Sequence, residues 1–214
     1  MKNIASLSVI AAGFLAGSSM ADASQNLLSN GSFEEHVVNG SWNLFEELPG
    51  WSLADGPGFE LQRGVGGWDA YDGDQWLELD ADQNGPGGGF INGEIGSSTI
   101  TQEAQTVVGQ YYMLTLGFSP RPGVEDNHLV ISWNDEVIHE AEASGAGLQN
   151  TSWQEISLLI QADSTSSFIS LADHSFNDTL GTLVDGVSLV AVPAPATLAL
   201  LLIPILHTRR RRKT

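Results

Sequence analysis

Six acidic side chains crowd into one short stretch of this chain, and carboxylate oxygens are the ligands that calcium prefers. The six are Asp69, Asp72, Asp74, Glu78, Asp80 and Asp82. Their spacing lacks the ligand order and the closing Glu of a twelve-residue calcium loop. Period-two alternation puts Asp74, Trp76, Glu78 and Asp80 on one face of a strand, opposite Gln75, Leu77 and Leu79. We therefore expect a solvated strand face here, with a weak calcium site as the alternative.

Aromatic side chains provide a second kind of chemistry, because a flat ring can stack on the ring of a sugar. The chain has six tryptophans, and four of them (Trp51, Trp76, Trp133 and Trp153) lie in strand-like patterns that favour the core. Trp42, Trp68 and Tyr71 lie in stretches rich in Gly or Asn. These three are our candidates for a glycan-binding platform. The alternative is that they plug the open ends of the fold.

The sequence lacks the common motifs of metal-binding and catalytic sites. His36, His128, His139 and His174 do not have the spacing of metal ligands. There is no Gly-x-Ser-x-Gly motif and no cysteine that could act as a nucleophile. Carboxylates are so abundant that counting them leaves a glycosidase pair open, but nothing singles one out. We interpret the chain as non-enzymatic.

The charge of the central part of the chain is extreme. Between residues 24 and 191 there are two arginines, Arg63 and Arg121, against twenty-five acidic residues, a formal charge of about −23. Such a surface repels nucleic acid and anionic lipid and attracts cations. The pattern excludes nucleic-acid binding. It leaves three explanations open, namely solubility in salt, a need for divalent metal, or a cationic partner.

The elements that must position these side chains are strands. Short runs of β-forming residues are broken by Gly, Pro, Asn and Asp about every ten residues, which is typical of a sandwich or jelly roll. The predicted strands are 26–34, 51–54, 59–62, 75–80, 99–106, 111–119, 128–133, 136–143, 153–162, 167–172 and 183–190. The pattern predicts one all-β domain over residues 24–191.

Both ends of the chain have the composition of targeting segments. Lys2, the apolar run 4–16 and a small-x-small site at 21–23 predict a signal peptide over residues 1–23. At the other end, residues 192–214 combine a proline pair, an apolar run and a basic cluster. The apolar run holds about a dozen residues and is interrupted by Pro204, so it is short for a lasting transmembrane helix.

The C-terminal segment resembles the PEP-CTERM sorting signal of Gram-negative bacteria. The residues that carry the resemblance are Pro193, Ala194, Pro195, Arg209, Arg210, Arg211 and Arg212. Ala194 stands where the family has Glu. The resemblance implies export, a transient tether at the inner membrane, processing by an exosortase, and a final location in the cell envelope or extracellular matrix.

The body resembles the galactose-binding-like β-sandwich domains, including DUF642-type domains and, more distantly, carbohydrate-binding modules. The resemblance lies in the order of six motifs, at residues 30–34, 49–51, 72–80, 100–102, 118–123 and 178–189. It implies a jelly-roll β-sandwich and a structural Ca²⁺ ion between Glu34 and Asp185. Gly186 stands where many relatives have a second Asp or Asn.

Together, these features lead us to expect a non-catalytic binding module that recognises extracellular polysaccharide. A structural or adhesive matrix protein that binds other proteins is the alternative. A glycoside hydrolase or lyase is the third class.

Overall fold

The computed structural model describes residues 25–81, 96–176 and 179–193. The predicted signal peptide lies outside these residues, as do Asp82, Ala194, Pro195 and Arg209–Arg212 of the sorting motif. Pro193 is the last described residue and is exposed. The described residues contain no helix that is long and apolar enough to cross a membrane.

The described residues form fourteen strands and one 3-10 turn, Val65–Gly67. The strands are β1 Trp42–Phe45, β2 Glu47–Leu48, β3 Trp51–Asp55, β4 Phe59–Gln62, β5 Trp76–Glu78, β6 Asp80–Ala81, β7 Gly96–Ser97, β8 Thr99–Gln105, β9 Tyr111–Ser119, β10 His128–Trp133, β11 Glu136–Glu142, β12 Gln154–Gln161, β13 Ser166–Asp173 and β14 Leu183–Ala191.

Twelve of these strands build two antiparallel sheets. The front sheet has the order β1-β4-β5-β14-β9-β12, and the back sheet has the order β11-β10-β13-β8-β3-β2. Strands β6 and β7 form a small separate pair. The predicted all-β jelly-roll sandwich is confirmed.

The core lies between the two sheets and follows the period of two that the sequence shows. In β9, Tyr112, Leu114, Leu116 and Phe118 are buried and belong to the hydrophobic core cluster. The back sheet contributes alternating residues to the same cluster, for example Leu129 and Ile131 of β10. Because the chain has no cysteine, this apolar contact has to hold the two sheets together without disulfides.

The first predicted strand, 26–34, is wrong. It makes only an isolated bridge to β14 and otherwise turns. Asn30 and Phe33 have φ angles of 49° and 57°, which are incompatible with an extended strand. Gly31 lies so close to β14 that a Cβ there would be 1.8 Å from the carbonyl oxygen of Val187. The segment is therefore a turn packed tightly on the last strand.

The register of the front sheet places the polar residues of several strands in rows on its outer face, the face turned away from the back sheet. Gln62 of β4 lies opposite Trp42 of β1 on one side and Trp76 of β5 on the other. Gly117 of β9 lies between Asp185 of β14 and Glu155 of β12. Directly opposed residues point to the same face of a sheet, so these side chains share the outer face.

Candidate functional site

The outer face of the front sheet is covered by the 63–75 loop, which joins β4 to β5. The carboxylate of Asp185 holds the middle of this loop. Its Oδ2 accepts hydrogen bonds from the backbone N–H groups of Tyr71 at 2.9 Å and Asp72 at 2.8 Å, and its Oδ1 accepts one from Gly186 at 2.6 Å. Asp185 is fully buried, so the last strand of the fold fixes the loop from below.

A second carboxylate, that of Glu34, holds the end of the loop. Its Oε1 accepts hydrogen bonds from the backbone N–H groups of Asp74 at 2.6 Å and Gln75 at 2.7 Å. The side-chain amide of the buried Gln75 donates to the carbonyl oxygens of Phe33 at 3.0 Å and His36 at 2.8 Å, and it also contacts Glu34. The turn at the start of the chain is thereby joined to the loop.

The implied calcium pair does not fit a metal site in this arrangement. Five backbone N–H groups point at the oxygens of Glu34 and Asp185, and the positive ends of these groups would repel a cation. Within the described residues, no group of three or more His, Asp or Glu side chains is placed to hold a metal ion. Calcium at Glu34 and Asp185 stays a prediction that the geometry does not favour.

Tyr71 lies flat on two glycines of neighbouring strands. A Cβ atom at Gly117 would be 2.7 Å from the ring, and one at Gly186 would also be 2.7 Å from it. The hydroxyl of Tyr71 donates to Oε2 of Glu155 at 2.9 Å, and this hydrogen bond raises the pKa of the phenol. The ring remains 39% exposed. Tyr71 therefore offers a partly open aromatic surface above the sheet.

Trp153 extends this aromatic surface. Its ring centroid is 6.0 Å from that of Tyr71, and its indole N–H donates to the backbone carbonyl of Asp69 at 2.8 Å. Asn150 and Asp69 exchange two further hydrogen bonds, at 3.0 and 2.7 Å. We expected Trp153 in the core, but it is half-buried and comes just before β12.

Trp68 contacts other residues than Tyr71 does. The guanidinium of Arg121 lies 5.5 Å from its ring centroid, within the range of a cation–π contact. The same guanidinium makes an ion pair with Glu78. Gly66 packs against the indole, where a Cβ atom would be 2.6 Å away. Trp68 is half-buried, so part of its ring faces solvent.

Arg121 connects Trp68 to a buried polar cluster made of Glu60, Gln62 and Glu78. The amide of Gln62 donates to Glu60 at 2.9 Å and to Glu78, and the N–H of Gly181 donates to Glu78 at 2.7 Å. Burial raises the pKa of Glu78 well above its usual range; Arg121 opposes the shift and nearby Glu60 adds to it.

We expected the acidic stretch to form a solvated strand face, and this expectation is wrong for its second half. Glu78 and Asp80 are both 0% exposed, and the segment before β14 lies against them: the N–H of Gly181 donates to Glu78 and that of Thr179 donates to Asp80. Asp69, Asp72 and Asp74 are exposed, as expected. The acidic stretch is therefore split, with its first part on the surface of the loop and its second part buried below.

Next to Trp68 an open cleft of about 400 Å³ runs along the loop. Its lining residues are Arg63, Gly64, Trp68, Asp69, Ala70, Gly73 and Asp74. Arg63 and Asp74 form an exposed ion pair at 3.1 Å across it. The cleft thus combines one aromatic ring with one cationic and two anionic groups that can donate and accept hydrogen bonds.

Two of the three predicted platform residues, Trp68 and Tyr71, lie in the 63–75 loop, and of these two Trp68 lines the cleft. Trp42 was expected in a loop, but it lies in β1 at the edge of the front sheet and does not line the cleft. The sequence analysis missed Arg63, Arg121 and Trp153. The rarity of arginine is a signal that the sequence offers, because Arg63 and Arg121 are the only two between residues 24 and 191. Both lie beside Trp68 in the structure.

Comparison with known proteins gives similarity of structure alone. No protein-family model matches the chain, and no curated protein matches it. Similar solved structures include the carbohydrate-binding module TmCBM61 in complex with β-1,4-galactotriose, with 16% identity over 79% of this chain and 100% of that one and a TM-score of 0.42.

Two further similar structures are the CBM22-1 xylan-binding domain of Xyn10C from Paenibacillus barcinonensis and the K1 cleaved adhesin domain of Lys-gingipain from Porphyromonas gingivalis W83. Each is 13% identical and covers 72% of this chain, with 94% and 100% of the other chain and TM-scores of 0.46 and 0.48. Similarities this distant carry no argument about function.

We expect Asp185 to make stability depend on pH. Burial raises its pKa to about 8 from 3.8, although the N–H groups of Asp72, Gly186 and Tyr71 oppose the shift. Between these two values the folded chain holds one more proton than the unfolded chain, so the free energy of unfolding falls as pH rises. The contribution is at most about 1.4 kcal/mol per pH unit and ends above the folded pKa.

Urea unfolding of wild type and Asp185→Asn between pH 5 and pH 8, at constant ionic strength, measures this slope. Asp185→Asn should be less stable than wild type at pH 5 and should show a flatter dependence on pH. Asp55→Asn changes an exposed carboxyl in the same way and should keep the wild-type slope. Equal slopes for wild type and Asp185→Asn would contradict the buried, titrating carboxyl.

We expect Glu34 to stabilise the fold without calcium. In Glu34→Gln, an amide N–H₂ replaces one oxygen and faces the N–H₂ of Gln75, so the melting temperature should fall by roughly 3–6 °C. The fall should be the same with added calcium and with EGTA. Glu35→Gln, an exposed neighbour, is the control and should melt like wild type. A wild-type midpoint that drops in EGTA would instead support the calcium site.

Proposed function

We propose that this chain is a non-catalytic module that binds extracellular polysaccharide in the cleft of the 63–75 loop. The observation that carries the proposal is the half-exposed ring of Trp68, held by Arg121 and bordered by Arg63, Asp69 and Asp74. A sugar ring has an apolar face of C–H groups and a rim of hydroxyls. An aromatic ring beside charged donors and acceptors matches both.

The rigidity of the cleft supports binding rather than turnover. The backbone of the loop is fixed by hydrogen bonds to Asp185 and Glu34, so the ring and the polar groups are already in place before a ligand arrives. Glu60 and Glu78, which both accept hydrogen bonds from the amide of Gln62, are buried and do not line the cleft. We therefore assign them a structural role.

Charge narrows the class of polysaccharide. A body with a formal charge of about −23, from two arginines against twenty-five acidic residues, repels polyanions over the distance that salt leaves unscreened. We propose an uncharged polysaccharide of the cell's own matrix as the ligand.

We expect Trp68→Ala to weaken binding to a neutral polysaccharide at least about tenfold, a loss of roughly 1.4 kcal/mol. Affinity electrophoresis against galactan, xylan, glucan and the neutral exopolysaccharide of the producing strain measures this, with alginate as the anionic comparison. Trp42→Ala is the matched control, because it removes a half-buried tryptophan that does not line the cleft. Equal losses in both variants, or no retardation of wild type by any of these polysaccharides, would contradict the proposal.

We also propose that the two terminal segments direct export, with residues 192–214 serving as a sorting signal that an exosortase processes. The support is the sequence alone, with its proline pair, apolar run and arginine cluster. Mass spectrometry of the protein recovered from its native host should find a C-terminus upstream of Arg209. Replacing Arg209–Arg212 by Gln should leave the chain unprocessed. An intact tail on the secreted wild-type protein would contradict this proposal.

A further inference from the structure

The eight-residue strand β12 forms one edge of the front sheet. Its pairing with β9 is continuous from Gln154 to Gln161 without a bulge. No other described strand pairs with its outer edge. A strand of this length presents a row of unpaired backbone N–H and C=O groups, which is a template for another strand.

The other three edges of the sandwich are blunted in the ways that natural proteins use. β1 has four residues and β2 has two, so neither can support an extended ladder. β11 has seven residues, but it has an irregular register against β10 and carries Glu136, Glu140 and Glu142. Charge and bulges on an edge strand oppose edge-to-edge pairing. Only β12 among the described edges lacks such protection.

The charge of β12 is low for this protein. Its sequence contains one acidic residue, Glu155, in a body with a formal charge of about −23 from two arginines and twenty-five acidic residues. Two copies of so acidic a chain repel each other over most of their surface. β12 is therefore a place where two copies can come together with few like charges in contact.

Apolar side chains continue from the sheet to this edge. Leu159 of β12 is 60% exposed on the outer face and lies opposite Met113 of β9. Tyr111, two residues from Met113 on the same face, is 45% exposed. On the other face, the half-buried Leu158 packs against the core at its margin. A second sheet edge would cover both leucines.

We propose that two copies of this chain associate by antiparallel pairing of β12 with β12, about a two-fold axis that passes through Leu158. This register keeps outer-face residues opposite outer-face residues and core-face residues opposite core-face residues. Leu158 then faces its own copy, Ile156 faces Ile160, and Leu159 faces Ser157. Glu155 lies opposite Gln161, so the only charge on the strand does not meet itself.

The pairing has a consequence for the proposed sugar site, and this step alone rests on the proposed function. With the axis perpendicular to the sheet, both copies turn the outer faces of their front sheets to the same side. Trp153 lies five residues from the axis, so the two aromatic surfaces would be about 33 Å apart. A dimer would present two clefts on one face and would bind a long polysaccharide with avidity.

Sedimentation velocity of the full chain, over a wide range of protein concentration and sodium chloride, tests the pairing without any sugar. We expect a reversible dimer that strengthens with salt, because screening weakens the repulsion between two acidic bodies. Leu158→Glu should weaken the dimer at least about tenfold, because two carboxylates would meet at the axis. Val137→Glu adds the same charge to an exposed position on β11 and should associate like wild type.

A cross-link gives an independent measurement. The chain has no cysteine, so Leu158→Cys introduces a single thiol that meets its own copy at the axis. Directly opposed residues of an antiparallel pair have Cα atoms about 4.5–5.5 Å apart, within the range of a disulfide. Leu158→Cys should form a reducible dimer on mild oxidation, and Val137→Cys should not.

A chain that stays monomeric at every concentration and salt overturns the proposal. So does a dimer that Leu158→Glu and Val137→Glu weaken equally. Failure of Trp68→Ala to weaken sugar binding would leave the sedimentation result untouched, so the two proposals can fail separately.

Discussion

The arrangement of the site depends on one buried carboxylate. Asp185 lies on β14 with no exposed surface, and the hydrogen bonds from Tyr71, Asp72 and Gly186 offset part of the cost of removing it from water. Burying a carboxyl without such donors would lower the free energy of unfolding by several kcal/mol. The loop and the carboxyl therefore stabilise each other. The loop that carries the aromatic residues is therefore as fixed as the strand beneath it, although it contains little regular structure.

The two glycines under Tyr71 follow from this constraint. Once Asp185 fixes the backbone of Tyr71, the ring has to lie on the neighbouring residues of β9 and β14, and a side chain at either position would collide with it. Gly186, with φ of 60°, also lies where the pairing of β14 with β9 shifts its register, between Asp185 and Ser188. The glycine at position 186 thus leaves room for an aromatic ring.

Local pattern was enough to predict most of the fold. The alternation in β4, β9 and β10 gave bounds that agree with the structure to the residue, since alternate residues of each strand belong to one continuous core cluster. The same alternation misjudged Glu78, because it does not report what covers the outer face. Glu78 is in contact with Arg121 and Gly181, which are 43 and 103 residues away along the chain, and no local pattern reports such contacts.

The two arginines beside Trp68 differ in their surroundings. Arg121 is paired with the buried Glu78 and lies over the ring of Trp68, so its charge is already used within the fold. Arg63 is exposed and its only ion pair among the described residues is with the exposed Asp74, a contact that water weakens and a ligand can replace. Arg63 lines the cleft beside Trp68, so under the proposed function it is the arginine whose guanidinium can donate to the hydroxyls of a bound sugar.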